Sequence, residues 1–435
     1  MLAATPTHQR PADNKPLRLA ALVIVVGVLS TYLAQTHVMG RIPLQNLLKN
    51  ALHVDRSANA EFFFWMILPW YFKPLVGIVS DAFPLFGSRR RSYLLIGAMA
   101  ASAAWFVLWL TPRHYGNLLA VCMIINVAMV VGSTVVGGYM VEIARSTSAS
   151  GRLTSVRNVV EQFAWVLAGP VGGFLASIAF GWTALVCGGV AFLIVPVAFW
   201  LMRERYTRPE SARLLHDARH QLVAIVRAKT MWAAAGLAAL FYFAPGVMTA
   251  VFYAQQNALQ LTTQGQGFLT FLNGVSGVLA ASLYGLLAAR RFTLRTLLIV
   301  CLLLGTAGNL AYLFYTSVLR AEIIESVNGF GYTLAEVAMM HLAVRATPAG
   351  SEALGFSLMM AVRNLGLFGS DWFGSHLLDQ YHISFHALVF ANGATSFLAV
   401  PLVLLLPAVM VDVRDTRTST AAIDMTPAPA RVPQE

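Results

Sequence analysis

The sequence is poor in charged residues, which make up 11% of its 435 residues, against roughly a quarter in an ordinary soluble domain. Hydrophobic residues make up 57% of the chain, and the mean hydropathy is +0.66. Uncharged runs such as residues 19–36 are long enough to cross a hydrocarbon layer about 30 Å thick. The composition therefore excludes a water-soluble enzyme and predicts an all-α membrane protein.

Cysteine is scarce as well, and its positions exclude several kinds of site. Cys122, Cys187 and Cys301 each lie inside a hydrophobic run, without the spacing of a metal or redox site. The sequence also contains no glycine-rich phosphate loop and no pattern that pairs a nucleophile with a base. We therefore expect no metal, no cofactor, no use of ATP and no enzymatic activity.

Basic residues outnumber acidic residues 30 to 19 and give a formal net charge of +11. In a membrane protein such an excess marks the loops that stay in the cytoplasm. Arginines concentrate on alternate loops, including Arg89 to Arg91, Arg145, and Arg290 and Arg291. This asymmetry predicts a multi-pass protein of an inner or plasma membrane with both termini cytoplasmic. It accounts for the positive charge without a nucleic-acid partner.

Hydropathy and turn residues predict about twelve transmembrane helices in two halves of about six each. The first half covers residues 17–202 and the second covers residues 231–410, joined by a basic cytoplasmic linker at residues 203–230. The tails, residues 1–16 and 411–435, are predicted to be disordered because they contain too little apolar surface to pack. The second and seventh spans are predicted at approximately Ala58 to Ser80 and Met231 to Ala254.

Two halves of this kind are typical of transporters that expose a central site to each side of the membrane in turn. Val156-Arg157-Asn158 recurs as Val362-Arg363-Asn364 at corresponding places in the two halves. The loop with Gly77, Asp81, Gly87 and three arginines resembles the signature loop of the major facilitator superfamily. The resemblance implies that superfamily's fold.

Two longer blocks narrow the resemblance. Residues Pro69 to Gly97, PWYFKPLVGIVSDAFPLFGSRRRSYLLIG, and residues Ala343 to Gly366, AVRATPAGSEALGFSLMMAVRNLG, resemble segments of the folate-biopterin transporter family. The blocks lie in different halves and in the order of that family. The resemblance implies a folate-like or pterin-like substrate, which would carry carboxylates and an aromatic ring.

Ionisable groups within membrane spans are costly and therefore mark functional positions. Here they lie on helices that line the cavity in the superfamily. At about 1.5 Å of rise per residue, Lys73, Glu336 and Arg363 lie at similar depths, and the two cations can hold a carboxylate. Trp70 can stack on a ring or pack as an ordinary core residue. The predicted substrate-binding residues are Lys73, Arg363, Trp70, Asn364, Arg157, Gln35 and Asn273.

Three carboxyl groups are predicted to couple transport to protons, namely Asp371, Glu336 and Glu161. Asp371 stands out because no cation lies one turn away on its own helix. The alternative is that Lys73 pairs with Glu336, or Arg157 with Glu161, only to neutralise buried charge. The predicted cytoplasmic gate consists of Asp81, Arg89, Arg90 and Arg91, although topology alone would also explain the arginines.

The sequence thus predicts a secondary active transporter that imports a folate-like or pterin-like organic anion with protons. Its expected partners are that solute, protons and the lipid bilayer, and we expect a monomer. One alternative is a proton-driven antiporter that exports drugs or metabolites, because Gly169 to Gly173 resembles a bend found in such proteins, although close helix packing would also explain it. The other alternative is a membrane receptor or scaffold that does not transport.

Overall fold

The computed structural model describes residues 15–147, 150–202, 211–285, 291–348 and 351–412. Within these ranges the chain is built from α-helices and their connections, with one isolated bridge between Leu85 and Ser88. The predicted disordered tails lie almost entirely outside the described residues. The same holds for residues 203–210 of the predicted linker.

The helices up to residue 202 form what we call the first half. They are α1 Lys15–Leu33, α2 Arg41–Asn46, α3 Arg56–Met66, α4 Leu68–Tyr71, α5 Lys73–Ala82, α6 Arg91–Leu110, α7 Tyr115–Thr147, α8 Ser150–Ala176, α9 Phe180–Phe192 and α10 Ile194–Leu201. A π-helical turn, Leu47–Ala51, follows α2.

We call the side of the molecule where α1 begins the terminal face, and the side where α1 ends the opposite face.

The helices from residue 211 onward form the second half. They are α11 Ser211–Arg227, α12 Lys229–Tyr242, α13 Met248–Asn257, α14 Thr263–Leu283, α15 Leu294–Leu310, α16 Val318–Ala346, α17 Glu352–Gln380, α18 Phe385–Leu402 and α19 Ala408–Val411. Residues 216–227 of α11 and the whole of α12 meet at an angle of 71°.

Seven of the described helices are long and apolar enough to cross a membrane, or eight if the bent pair of α11 and α12 forms one span. The predicted span Ala58 to Ser80 is divided into α3, α4 and α5, and the predicted span Met231 to Ala254 into α12 and α13. Pro69 and Pro74 stand in the first turns of α4 and α5, where a missing N–H costs least. Each of these two spans thus contains a break, and the total of about twelve spans stays a prediction.

Side-chain caps fix where several helices begin. A side-chain oxygen at the N-cap accepts a hydrogen bond from a free backbone N–H of the first turn and stabilises the helix by about 1 kcal/mol. The capping residues are Asp55, Thr262, Thr293, Ser317 and Ser384.

The apolar core is divided between the halves. One group of buried side chains surrounds Trp105, whose indole N–H donates to the carbonyl oxygen of Ala34 at 3.1 Å. It draws its buried members from the first half, with Phe368 as an exception. Another group surrounds Leu298 and Leu342 and belongs to the second half. Each half therefore packs mainly on itself, and the contact between them is a separate surface.

The backbones of the two halves approach each other closely where α8 meets α14. A Cβ atom on Gly173 would lie 2.6 Å from the carbonyl oxygen of Thr263 and 2.9 Å from Cα of Gly267. A Cβ on Gly169 would lie 2.7 Å from the carbonyl oxygen of Gly267. Small residues allow such an approach between membrane helices. Close helix packing thus accounts for the glycines of residues 169–173.

We expect Gly173→Val to lower the free energy of unfolding by about 1 to 3 kcal/mol, because the added atoms must force α8 away from α14. The measurement is thermal unfolding of the purified protein in detergent. Gly236→Val is the matched control, since a Cβ at Gly236 meets no atom within 4 Å. Equal melting temperatures for the two variants would contradict the prediction.

Candidate functional site

Two ion pairs face the space between the halves, one from each half. In α8, Nε of Arg157 lies 2.8 Å from Oε1 of Glu161. In the second half, Arg363 of α17 pairs with Glu336 of α16. The four side chains are between 18% and 30% exposed. Their charges are therefore only partly shielded by protein.

Tyrosines connect these two pairs across the boundary between the halves. Tyr32 of α1 is within electrostatic reach of Arg157 and Glu161 on one side and of Glu336 and Arg363 on the other. The guanidinium of Arg363 also lies 5.9 Å from the ring centre of Tyr242 in α12. The two pairs and the tyrosines thus form one polar region within the membrane protein.

Lys73 adds a third cation to this region. It begins α5, and its Nζ donates to Oγ of Ser133 at 3.0 Å and lies 5.2 Å from the ring centre of Trp70. Lys73 is within electrostatic reach of Arg157 and Glu161. Among the described residues, however, no carboxylate forms an ion pair with it. The alternative pairing of Lys73 with Glu336 is not what the structure contains.

We use the name central cluster for Lys73, Arg157, Glu161, Glu336 and Arg363. It contains three cations and two carboxylates, so the ionised cluster carries an excess positive charge. Because the charges lie in a poorly polarisable environment, they act strongly on a neighbouring anion. The arrangement can bind one carboxylate without a metal or a cofactor.

The other predicted binding residues occupy different settings. Asn364 accepts a hydrogen bond from Nη1 of Arg363 at 2.9 Å and so borders the central cluster. Trp70 is 7% exposed, and its indole N–H donates to Oδ1 of Asn126 at 2.9 Å, so it packs as a core residue beneath Lys73. Gln35 lies just after the end of α1, and its amide donates to the carbonyl oxygen of Thr31 in that helix at 2.7 Å.

Asn273 lies in a different polar cluster, around a carboxylate that the sequence analysis missed. Its amide donates to Oε2 and to the backbone carbonyl of Glu325, both at 3.2 Å. Glu325 is 6% exposed and belongs to α16. The sequence did contain a signal for Glu325, because an acidic residue inside a predicted membrane span marks a functional position.

Asp371 caps a helix in the structure. It is 2% exposed, and its two carboxylate oxygens accept hydrogen bonds from the backbone N–H of Thr249 at 2.8 Å and from the hydroxyl of Thr249 at 2.7 Å. Thr249 lies in the first turn of α13, where N–H groups have no partner within the helix. A carboxylate also interacts favourably with the positive end of a helix. Asp371 thus caps the start of α13, just after the break that separates α13 from α12.

The arginines of the predicted gate bond within the first half. Arg90 pairs with Glu142 at 2.9 Å, and Arg91 donates to the backbone carbonyl of Phe199 at 2.8 Å. Nε of Arg89 is buried without a hydrogen-bond partner in the described part of the chain. The side chain of Asp81 lies outside the described residues.

A gate that the sequence analysis missed closes the opposite face. Arg56 at the start of α3 pairs with Asp379 near the end of α17, with Nη2 to Oδ1 at 2.8 Å. The backbone N–H of Ser57 donates to the other oxygen of Asp379 at 2.8 Å. The hydroxyl of Tyr253 donates to the carbonyl oxygen of Val54 at 2.6 Å. These contacts join the two halves at that face.

Comparison with known proteins gives matches over most of the chain. The model of the BT1 family matches residues 35–424. A protein of Synechocystis sp. named folate-biopterin transporter is 27% identical over 460 residues, which cover 95% of this chain and 88% of that protein. A protein of Arabidopsis thaliana named probable folate-biopterin transporter 2 is 22% identical and covers 83% of this chain and 77% of its own length.

Solved structures of transporters share the fold. A D-xylose-proton symporter aligns with a TM-score of 0.68 at 15% identity, over 90% of this chain and 98% of its own. The nucleoside transporter NupG aligns with a TM-score of 0.62 at 11% identity, over 89% of this chain and 99% of its own. These alignments confirm the predicted helical fold of the major facilitator type.

We expect Asp371→Ala to lower the free energy of unfolding by about 1 to 2 kcal/mol, because the first turn of α13 loses its cap. Thermal unfolding in detergent measures the change. Asp371→Asn retains an oxygen that accepts a hydrogen bond and should recover most of the loss. An Asp371→Ala protein as stable as the wild type would show that the capping contacts contribute little.

Proposed function

We propose that this chain, which belongs to the BT1 family, imports a folate-like or pterin-like organic anion together with protons. The resemblance to folate-biopterin transporters noted in the sequence is confirmed by the match to residues 35–424 and by the named relatives. The chain is thus a multi-pass membrane transporter of the major facilitator fold and not an enzyme. The names of the relatives support the substrate class, and the central cluster supports an anion.

The observation that carries the proposal is the placement of Lys73. Its ammonium is held by a neutral hydroxyl and an aromatic ring, and no carboxylate among the described residues neutralises it. A cation within a membrane protein is costly without such a partner. A carboxylate of the substrate would provide one and would be bound in a charge-assisted hydrogen bond. Trp70 beneath Lys73 would keep the ammonium in place.

The pair of Arg363 and Glu336 supports the proposed proton coupling. While Glu336 is ionised it occupies the guanidinium of Arg363, so a substrate carboxylate must compete for that cation. A proton bound by Glu336 would cancel its charge and free Arg363 for the substrate. Arg363 offers a planar fork that matches a carboxylate. Proton and anion would then bind together, with Lys73 holding the anion from the first half.

Alternating access requires the halves, proposed as residues 17–202 and 231–410, to rock around this site. The structure is closed at the opposite face by Arg56 and Asp379. With both termini in the cytoplasm, as proposed, this is the state closed to the outside. In the state closed to the cytoplasm, Arg90 and Arg91 would exchange their partners within the first half for partners across the boundary, and we propose that Asp81 and Arg89 take part in the same gate.

The test is uptake of labelled folate, and of a labelled simple pterin, into proteoliposomes with and without an imposed pH gradient, acid outside. We expect accumulation that requires the gradient and disappears with a protonophore. Expulsion from the vesicles under the same gradient would instead indicate a proton antiporter. Binding without movement would indicate a receptor. Neither binding nor transport by folded protein would contradict the proposed substrate class.

We expect Lys73→Gln to raise the dissociation constant for folate by about tenfold to a hundredfold, because a hydrogen bond to a charged group contributes about 1.5 to 3 kcal/mol. Equilibrium binding of labelled folate to the purified protein measures it. Lys229→Gln removes the same charge from the exposed start of α12 and should leave the affinity unchanged. Equal affinities of the Lys73 variant and the wild type would remove Lys73 from the binding site.

We expect Glu336→Gln to make folate binding independent of pH and to keep it close to the wild-type affinity at acidic pH. The amide resembles the protonated carboxyl group and leaves Arg363 free in the same way. The measurement is the affinity for labelled folate across a pH series. Glu142→Gln, which breaks the pair with Arg90, is the control and should retain the pH dependence. A persistent pH dependence in Glu336→Gln would place the proton elsewhere.

A further inference from the structure

A second polar cluster lies apart from the central cluster and contains the buried carboxylate of Glu325. The hydroxyl of Tyr315 donates to its Oε1 at 3.1 Å, and the amide of Gln255 donates to the same oxygen at 3.3 Å. The amide of Asn273 donates to Oε2 at 3.2 Å, and Tyr312 is within electrostatic reach of the carboxylate. Neutral donors thus surround an acidic side chain inside a membrane helix.

Glu325 has no cationic partner in the part of the chain that the structure describes. The titratable groups that face it are Tyr312 and Tyr315, and the nearest charged residues on its own helix are Glu322 and Arg320. The charged residues of the central cluster are engaged elsewhere. A carboxylate held in a membrane protein without a countercharge is a functional position by default.

Three glutamine side chains connect Glu325 to the first half. Gln255, besides donating to Glu325, accepts a hydrogen bond at its Oε1 from the amide of Gln266 at 3.1 Å. Gln266 accepts one from the amide of Gln256 at 3.0 Å. Gln256 accepts one from Nζ of Lys49 at 2.8 Å. Lys49 lies in the π-helical turn of the first half at the opposite face, so the chain of hydrogen bonds crosses the boundary that the gate closes.

The two ends of this chain fix its direction. The ammonium of Lys49 can only donate, so the atom that Gln256 presents to it must be an oxygen; Lys49 also donates to Oδ1 of Asn257 at 2.6 Å. The ionised carboxylate of Glu325 can only accept, so it requires the amino group of Gln255. Every amide between them points the same way, with its oxygen toward Lys49 and its amino group toward Glu325.

We propose that Glu325 is a proton-binding site whose occupancy controls closure of the opposite face through the three glutamines. A proton bound to Glu325 turns one carboxylate oxygen into a donor. If Gln255 rotates to present its oxygen there, its amino group meets the amino group of Gln266. Gln266 and then Gln256 must rotate in turn, and Gln256 finally presents an amino group to the ammonium of Lys49. Donor then faces donor, and the hydrogen bond from Lys49 to Gln256 is lost. This weakens the contact between the halves, because Lys49 is then held across the boundary by Oδ1 of Asn257 alone of these two acceptors.

Proton uptake at Glu325 therefore favours opening of the opposite face, and proton loss favours closing it. This deepens the proposed function and rests on its proton coupling, but it concerns the gate and not the substrate. Glu336 would adjust the affinity for the anion, whereas Glu325 would adjust the conformation that receives it.

The test measures the width of the opposite face directly and needs no substrate. Nitroxide labels are attached at Arg113→Cys in the first half and Ala258→Cys in the second, both exposed positions near that face. The three native cysteines are buried, which favours selective labelling. Distances between the labels are measured by pulsed electron paramagnetic resonance on the full chain in lipid nanodiscs, over a series from mildly alkaline to acidic pH.

We expect the distances to shift to longer values on acidification in the otherwise wild-type protein. Glu325→Gln should lose this shift and resemble the acidic form at every pH. Gln256→Met removes the hydrogen bond from Lys49 at a partly buried position. This variant should also lose the shift on acidification. Glu322→Gln changes the same kind of group on the same helix and should retain it.

A shift that persists unchanged in Glu325→Gln, or distances that do not respond to pH in the wild type, would overturn the inference. If Glu325→Gln fails to fold, Gln256→Met provides the test. A wild-type shift of the label distances with pH in Gln256→Met would also overturn the inference. A failure to transport folate would leave these outcomes intact, so the two proposals fail separately.

Discussion

An ionised group inside a membrane protein must find a partner, and this constraint organises the polar interior of the molecule. Asp371 finds its partners in the first turn of α13, which completes a broken helix. Lys73 in the first half and Glu325 in the second have opposite signs, and neither forms an ion pair among the described residues. Arg41 forms none there either, but its guanidinium donates to the sulfur of Met248 and is within electrostatic reach of Asp371. Six other charged residues form ion pairs, namely Arg157–Glu161, Arg363–Glu336 and Arg56–Asp379.

The general architecture could be predicted from the sequence because it depends on properties that are local along the chain. A long uncharged run predicts a membrane helix wherever it packs, and two blocks around Lys73 and Asn364 were enough to indicate the family. The expectation that Glu336 and Arg363 lie at similar depths needed only the rise of a helix, and the structure brings these two side chains together.

Other features depend on contacts that no local pattern contains. Arg56 and Asp379 are 323 residues apart, and each alone looks like an ordinary charge near the end of a span. Asp371 was predicted to bind protons because no cation lies near it on its own helix, but its partner is a backbone N–H and a hydroxyl on α13. The breaks in the second and seventh spans were visible as prolines, but hydropathy averages over them.

Glu325 lies apart from Lys73 and the rest of the central cluster, and this separation has a consequence for the coupling of proton binding to transport. A transporter must prevent protons from crossing alone, which requires that proton binding change both the affinity of the site and the side to which it opens. In our proposal Glu336 changes the affinity of the site, because it competes with the anion for Arg363. Glu336 forms no ion pair with Arg56 or Asp379, so a second group is needed to change the side to which the site opens. In our proposal Glu325 supplies the second, since its hydrogen bonds lead through neutral amides to Lys49, and neutral amides can transmit a change in donor direction without carrying charge across the membrane.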